Sequence, residues 1–186
     1  MKILCEKALH TDEYAGTADL ITGIDNFDSG LDFNEEFHTY KLNGKILISV
    51  TQLLDDGTYD SNNIDKNVLK YAQDKGTIVH KEIQEWLESK KEGFTKELDN
   101  FKELYENNKI LFNSKAIFDF KTYSVATPKN REKCYKQIKM YDDALYYMIK
   151  KRVKHYYLVH LPHDKPGRIY DLKGEFESDR KSGRNK

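Results

Sequence analysis

With 186 residues, of which 38% are hydrophobic and 33% charged, the chain is long enough for one domain with a sizeable core and short for two. No apolar run approaches the roughly 20 residues that span a bilayer. The opening segment MKILCEKALHTDEY turns charged too early for a secretory signal, so a cytoplasmic protein with no membrane partner is expected.

The elements follow in chain order. Residues 2–9 and 14–24 read as two strands joined by the polar turn His10-Thr11-Asp12-Glu13. Residues 26–30 are a loop. A second hairpin spans 36–51, with Asn43-Gly44 between alternating runs, a strong short-range hairpin signal. Residues 55–63, crowded with Asp, Gly, Ser and Asn, form another loop. Residues 64–108 are helical, with apolar positions at Val68, Tyr71 and Ala72, then Val79, Ile83, Trp86 and Leu87, then Leu98, Phe101, Leu104 and Tyr105. Gly93 divides this stretch into two helices. Residues 110–123 read as a strand, or a hairpin bent at Asn113-Ser114, centred on Ala116–Lys121. Residues 130–152 form a helix with Cys134, Ile138, Tyr141, Leu145 and Met148 on its buried stripe. Strands follow at 155–161 and 168–172. Cys5 and Cys134 lack a CxxC partner and read as packed thiols. The expectation is a single α+β domain over residues 1–172, a mixed central sheet flanked by helices, with a polar, disordered tail at 173–186.

The zero net charge hides a split. Residues 121–186 hold 17 Lys+Arg against 8 Asp+Glu, leaving 14 against 23 for residues 1–120 from the totals of 31 each. Such asymmetry suits an enzyme with phosphates on one wall and cations on another, although solvated charged faces read the same way.

The segment AIFDFKT at 116–122 is the most informative. Residues two apart on a strand share a face, so Asp119 and Lys121 emerge together. A carboxylate there can hold a divalent ion, and an ammonium can meet a phosphate or orient water. Alone, the pattern also fits an exposed edge strand with an ion pair. A second acid, Asp19, stands in a matching context, YAGTADLI; on an adjacent strand it would complete a two-carboxylate pocket for Mg²⁺ or Mn²⁺. Gln137 and Tyr141, four apart on the following helix, share a face that could reach phosphate or the lysine, or be core.

Together, Gly16-x-x-Asp19, Asp119-x-Lys121-Thr122 and Gln137-x-x-x-Tyr141 resemble the PD-(D/E)XK nuclease superfamily, in its RecB-like, phage-type exonuclease branch. His38-x-Tyr40-x-x-x-Gly44 before Ser49-Val50-Thr51, and Gly76-Thr77-Ile78-Val79-His80, are similar to that branch's hairpin and first helix. The matches span about residues 2–147. The order differs: here the Gly-x-x-Asp strand precedes the hairpin. The resemblance implies a restriction-endonuclease-like core with rearranged strand order. It implies Asp19, Asp119 and Lys121 as catalytic residues, and Asp19, Asp119, the Phe120 carbonyl, His80 and Glu6 as metal ligands. His80 also shares a face with Ile83 and Leu87, as a core histidine would, and Glu6 also fits a surface acid.

The expected function is therefore a Mg²⁺- or Mn²⁺-dependent DNA nuclease, an exonuclease rather than a site-specific endonuclease because no recognition helix or zinc module is evident. DNA would lie along Gln137, Tyr141, Lys133 and Lys136, and a homo-oligomer is compatible with this. The alternatives are a catalytically inactive DNA-binding module on the same fold and a metal-dependent hydrolase of small phosphoesters.

Overall fold

Alternation and turn chemistry account for most of the strands. The computed structural model of the protein describes residues 2–34, 37, 39–55, 66–123, 125 and 127–177. In it, β1 (Ile3–His10) and β2 (Tyr14–Thr22) form the expected antiparallel hairpin. The second hairpin joins β4 (Thr39–Leu42) to β5 (Lys45–Ser49) through Asn43 and Gly44, whose φ angles of 50° and 83° are the positive pair a two-residue turn requires. An unanticipated short strand, β3 (Asp32–Asn34), pairs with β4, and Phe33 stacks on Tyr40 at 4.6 Å between ring centroids.

Among the described residues one mixed sheet joins eight strands in the order β3-β4-β5-β2-β6-β7-β8, with β1 paired to β2. Its centre is β6 (Ala116–Lys121), antiparallel to β2 and parallel to β7 (His155–His160); β8 (Arg168–Asp171) closes the edge. The crossover from β6 to β7 is α5 (Pro128–Ile149), which starts at Thr127 as N-cap with Pro128 in its first turn and ends at Lys150 in the left-handed conformation.

Helices cover both faces, which makes the fold a mixed α+β arrangement around an open sheet. Beneath α5, Ile138, Tyr141, Ala144 and Leu145 pack on Leu9, Ile21, Ile117 and Leu158. On the other face, α2 (Lys66–Ser89), α3 (Lys96–Asn107) and α4 (Lys109–Phe112) bury Val79, Ile83, Trp86, Leu98, Phe101 and Phe112 against Phe118 and Phe120. Each such side chain fully removed from water contributes about 1.5–3 kcal/mol before the entropy of ordering it.

Four expectations are corrected. The strand expected through Thr51 stops at Ser49, which caps α1 (Val50–Leu53) in a capping box with Gln52: the Gln52 amide donates to Ser49 Oγ and the Ser49 amide to Gln52 Oε1. The strand expected from residue 110 begins at Ala116, because Lys109–Phe112 coil into α4 and bury Phe112 among the aromatics of α3. Val68 and Tyr71, expected on a packed stripe, are 60% and 70% exposed, and the packed residues of α2 begin at Val79. The polar tail starts later than expected: Leu172–Glu177 form α6, held to α5 by Arg131–Glu175 and Tyr135–Glu177 contacts. His38, residues 56–63 of the loop expected at 55–63, and the rest of the tail at 178–186 lie outside the described residues.

Candidate active site

The site forms where β2 forks. Along one edge β2 pairs with β5 only at Tyr14 and Ala15, and with β6 only at Leu20, Ile21 and Thr22. Gly16–Asp19 lie in the gap. Extending the register Leu20↔Phe118 by one position sets Asp19 opposite Asp119, so the two acids sought from the sequence occupy neighbouring strands at the mouth of the fork.

Asp19 fills that gap with its side chain. Its Oδ2 accepts a 2.6 Å hydrogen bond from the Phe120 amide, standing in for the carbonyl that the diverging strand no longer offers. On the other edge, the β1–β2 ladder skips one pair between Cys5↔Leu20 and Lys7↔Ala18. The skipped pair is Glu6 and Asp19, and the φ of 44° at Glu6 lies in the left-handed region and breaks the strand's alternation. Glu6 thereby turns its carboxylate toward Asp19 and His80.

His80, on α2, completes this corner. Its Nε2 lies 3.2 Å from the Phe120 carbonyl oxygen, and its Nδ1 lies 3.7 Å from Asp19 Oδ1 and 3.9 Å from Glu6 Oε1. One ligand atom from each of Glu6, Asp19 and His80 falls within 4.8 Å of the other two. With Nε2 against the carbonyl, Nδ1 faces two carboxylates, a set of one nitrogen and two oxygens that could share a cation.

Asp119 and Lys121 lie beside this trio. Ile117 belongs to the core beneath α5, while Ala116, Phe118 and Phe120 belong to the opposite core, so alternation turns Asp119 and Lys121 toward α5. Asp119 is 1% exposed. Lys121 Nζ donates to its Oδ1 at 2.9 Å and stands 2.8 Å from Oδ2, which has no hydrogen bond of its own among the described residues. Burial pushes the Asp119 carboxyl above its usual range, and Asp19 adds to this, while Lys121 pulls it back. For Lys121, burial disfavours the ammonium, but Asp119 more than offsets it and keeps the lysine charged.

Gln137 and Tyr141 form a bonded pair on α5, the Gln137 amide donating to the Tyr141 hydroxyl at 2.9 Å. Tyr141 is buried and its phenol is raised, chiefly by burial and then by Asp119. Its ring packs over Gly16, where an added Cβ would stand 2.6 Å from Cε1. Tyr141 therefore supports the site from below rather than lining a surface, whereas Lys133 and Lys136 are exposed on the outer side of α5. Cys5 and Cys134 are packed thiols pushed up to about 12, mainly by burial. Tyr123, which sequence reasoning passed over, is 59% exposed and within electrostatic reach of Lys121, Asp119 and Asp19. Its spacing two beyond Lys121 was the available signal.

The fork thus gathers one ammonium, three carboxylates and one imidazole, with Tyr141 packed beneath them. Among the described residues no helix is long and apolar enough to cross a membrane. No protein-family model, curated protein or solved structure matches this chain.

Proposed function

We propose that the protein is a Mg²⁺- or Mn²⁺-dependent nuclease that hydrolyses DNA phosphodiesters, built on a restriction-endonuclease-like core of the PD-(D/E)XK type. The observation that carries this reading is the convergence of Glu6, Asp19 and His80 within 4.8 Å beside a buried Asp119–Lys121 pair. The donor set is oxygen-rich, as Mg²⁺ and Mn²⁺ prefer, with one imidazole beside it, and Asp119, ion-paired to Lys121, lies next to it.

Glu6, Asp19 and His80 would hold the ion, with Asp119 and the Phe120 carbonyl at its margin. When bound, such an ion lowers the pKa of a coordinated water and withdraws charge from phosphate oxygens. Lys121 contributes a charged group that is only 13% exposed, where it would counter negative charge gathering on the phosphorus oxygens more effectively than in bulk water. Asp119 keeps that ammonium aimed. Asp19 does double duty, since its Oδ2 fixes the Phe120 backbone while Oδ1 faces His80. No base-reading module is evident among the described residues, which favours an exonuclease over a site-specific endonuclease.

The test is digestion of end-labelled linear DNA with Mg²⁺ or Mn²⁺, in parallel with EDTA and with Asp119→Asn. Cleavage that needs metal and disappears in the variant is expected. Cleavage indifferent to EDTA, or none from folded native protein with either ion, overturns the reading.

A further inference from the structure

Away from the fork, the end of α5 carries a second concentration of aromatic and basic groups. Tyr146 and Tyr147 are 45% and 41% exposed, side by side on the last turn. Lys150, the left-handed C-cap, holds its ammonium 5.5 Å and 5.6 Å from their two ring centroids, anchored by a 3.1 Å hydrogen bond to the Tyr147 carbonyl. The Arg152 guanidinium lies 4.6 Å from the Tyr146 centroid while bonded to Asp142 and Asp143. The result is two half-exposed rings with cations over their faces, the Tyr147 hydroxyl bonded to Asp12 and its ring edge-on to His10.

This platform continues the basic side of α5. Lys136, Asp143, Tyr147 and Lys150 follow at spacings of seven, four and three, so they share one helix face, with Lys133 one turn earlier. The acids here are Glu132, paired to Lys136, Asp143, paired to Lys139 and Arg152, and Asp12, bonded to the Tyr147 hydroxyl; against them stand Lys133, Lys136, Lys139, Lys150 and Arg152, which leaves the face net positive. From Lys133 to Lys150 the helix covers about 26 Å at 1.5 Å per residue, enough for several nucleotides.

We propose that the Tyr146–Tyr147 platform binds single-stranded nucleic acid, stacking bases on the two rings while Lys150 and the α5 lysines track the backbone. Stacking needs bases freed from a duplex, and the cations flanking the rings offer the charge complementarity that a phosphate backbone requires. The platform lies about 9 Å along the helix axis beyond Tyr141, so it would hold a strand outside the fork rather than at the scissile bond. It rests on the reading that the substrate is nucleic acid, but not on turnover.

The experiment is fluorescence anisotropy of fluorescein-labelled oligothymidylate with the full chain in EDTA, where no cleavage occurs. Tyr146→Ala with Tyr147→Ala should weaken binding roughly fivefold or more, because each lost stack is large on this scale. Tyr146→Phe with Tyr147→Phe keeps the rings and should bind within about twofold of native. Lys150→Ala should weaken binding and reduce the salt slope by about 0.7, one phosphate contact on a single strand. Native-like binding by the double alanine variant overturns the proposal, as does equal loss by the double phenylalanine variant or equal loss on a blunt duplex. Native protein that cleaves DNA with metal yet shows no single-strand affinity overturns the platform alone. Native protein that neither cleaves nor binds removes the nuclease reading as well.

Discussion

The Asp19 carboxylate accepts the backbone amide of Phe120 at 2.6 Å across 101 residues of sequence, so one side chain both stitches β2 to β6 and faces the histidine of the site. Structure and chemistry are therefore separable at this position by the choice of substitution. Asp19→Asn keeps an oxygen acceptor for the amide and should hold stability within about 1 kcal/mol of native while abolishing cleavage. Asp19→Ala leaves the amide without its partner and should cost about 1–3 kcal/mol more. Urea unfolding monitored by circular dichroism measures both; equal stability of the two variants would show that the bond contributes nothing.

Asp119 is buried and Lys121, 13% exposed, is paired to it, so removing one partner strands the other's charge. Lys121→Ala is expected to lose cleavage and to destabilise the fold by about 3–5 kcal/mol, whereas Asp119→Asn combined with Lys121→Met removes both charges and should recover most of that loss. Thermal denaturation of the single and double variants decides the matter, and a double variant no more stable than Lys121→Ala would contradict it.

Gly16 is placed by the close approach of α5. A methyl there would stand 2.6 Å from Tyr141 Cε1 and 3.1 Å from Val50 Cγ2, both on buried side chains. Gly16→Ala should cost about 1–3 kcal/mol through overpacking. It should also displace the Tyr141 ring and with it Gln137, lowering kcat beyond what the stability loss explains. Unfolding midpoints and turnover measured on the same preparation separate the two effects; native values for both would show that the gap is wider than described.

Glu97, almost fully buried at the start of α3, takes Lys75 at 2.6 Å and His163 at 3.1 Å. Burial alone would raise its carboxyl, but hydrogen bonding from Lys75 and from the helix's own backbone, joined by His163, outweighs it and holds the group below its ordinary 4.5. A folded-state value lower than the unfolded one stabilises the protein above the unfolded value and ceases to do so as pH falls through the folded value. Native protein should thus exceed Glu97→Gln in stability by about 1.5–3 kcal/mol near neutral pH, and the gap should close below pH 4.5. Urea midpoints from pH 7 to 3 test this, and a gap that widens toward acid would reverse the assignment.

Local signals in the sequence were sufficient for much of this architecture. Asn43-Gly44 specified its hairpin because few dipeptides tolerate two positive φ angles. The buried stripe of α5, from Cys134 to Leu145, followed from helical period alone. Asp119 and Lys121 were placed on one face by the alternation of a single strand. Other features depended on partners distant in the chain. Residues 109–112, an apolar KILF run, suit helix or strand equally, and only the aromatic cluster of α3 selected the helix. Val68 and Tyr71 carry helical periodicity yet face water, because periodicity cannot tell whether a partner surface exists. No local pattern announces that Glu6 leaves the β1 ladder, since its left-handed backbone occurs opposite the point where β2 turns from β5 to β6. The meeting of Glu6, Asp19 and His80 was likewise a tertiary decision: three residues on three elements converge only because β2 forks and α2 crosses the gap, and neither spacing nor composition encodes that distance.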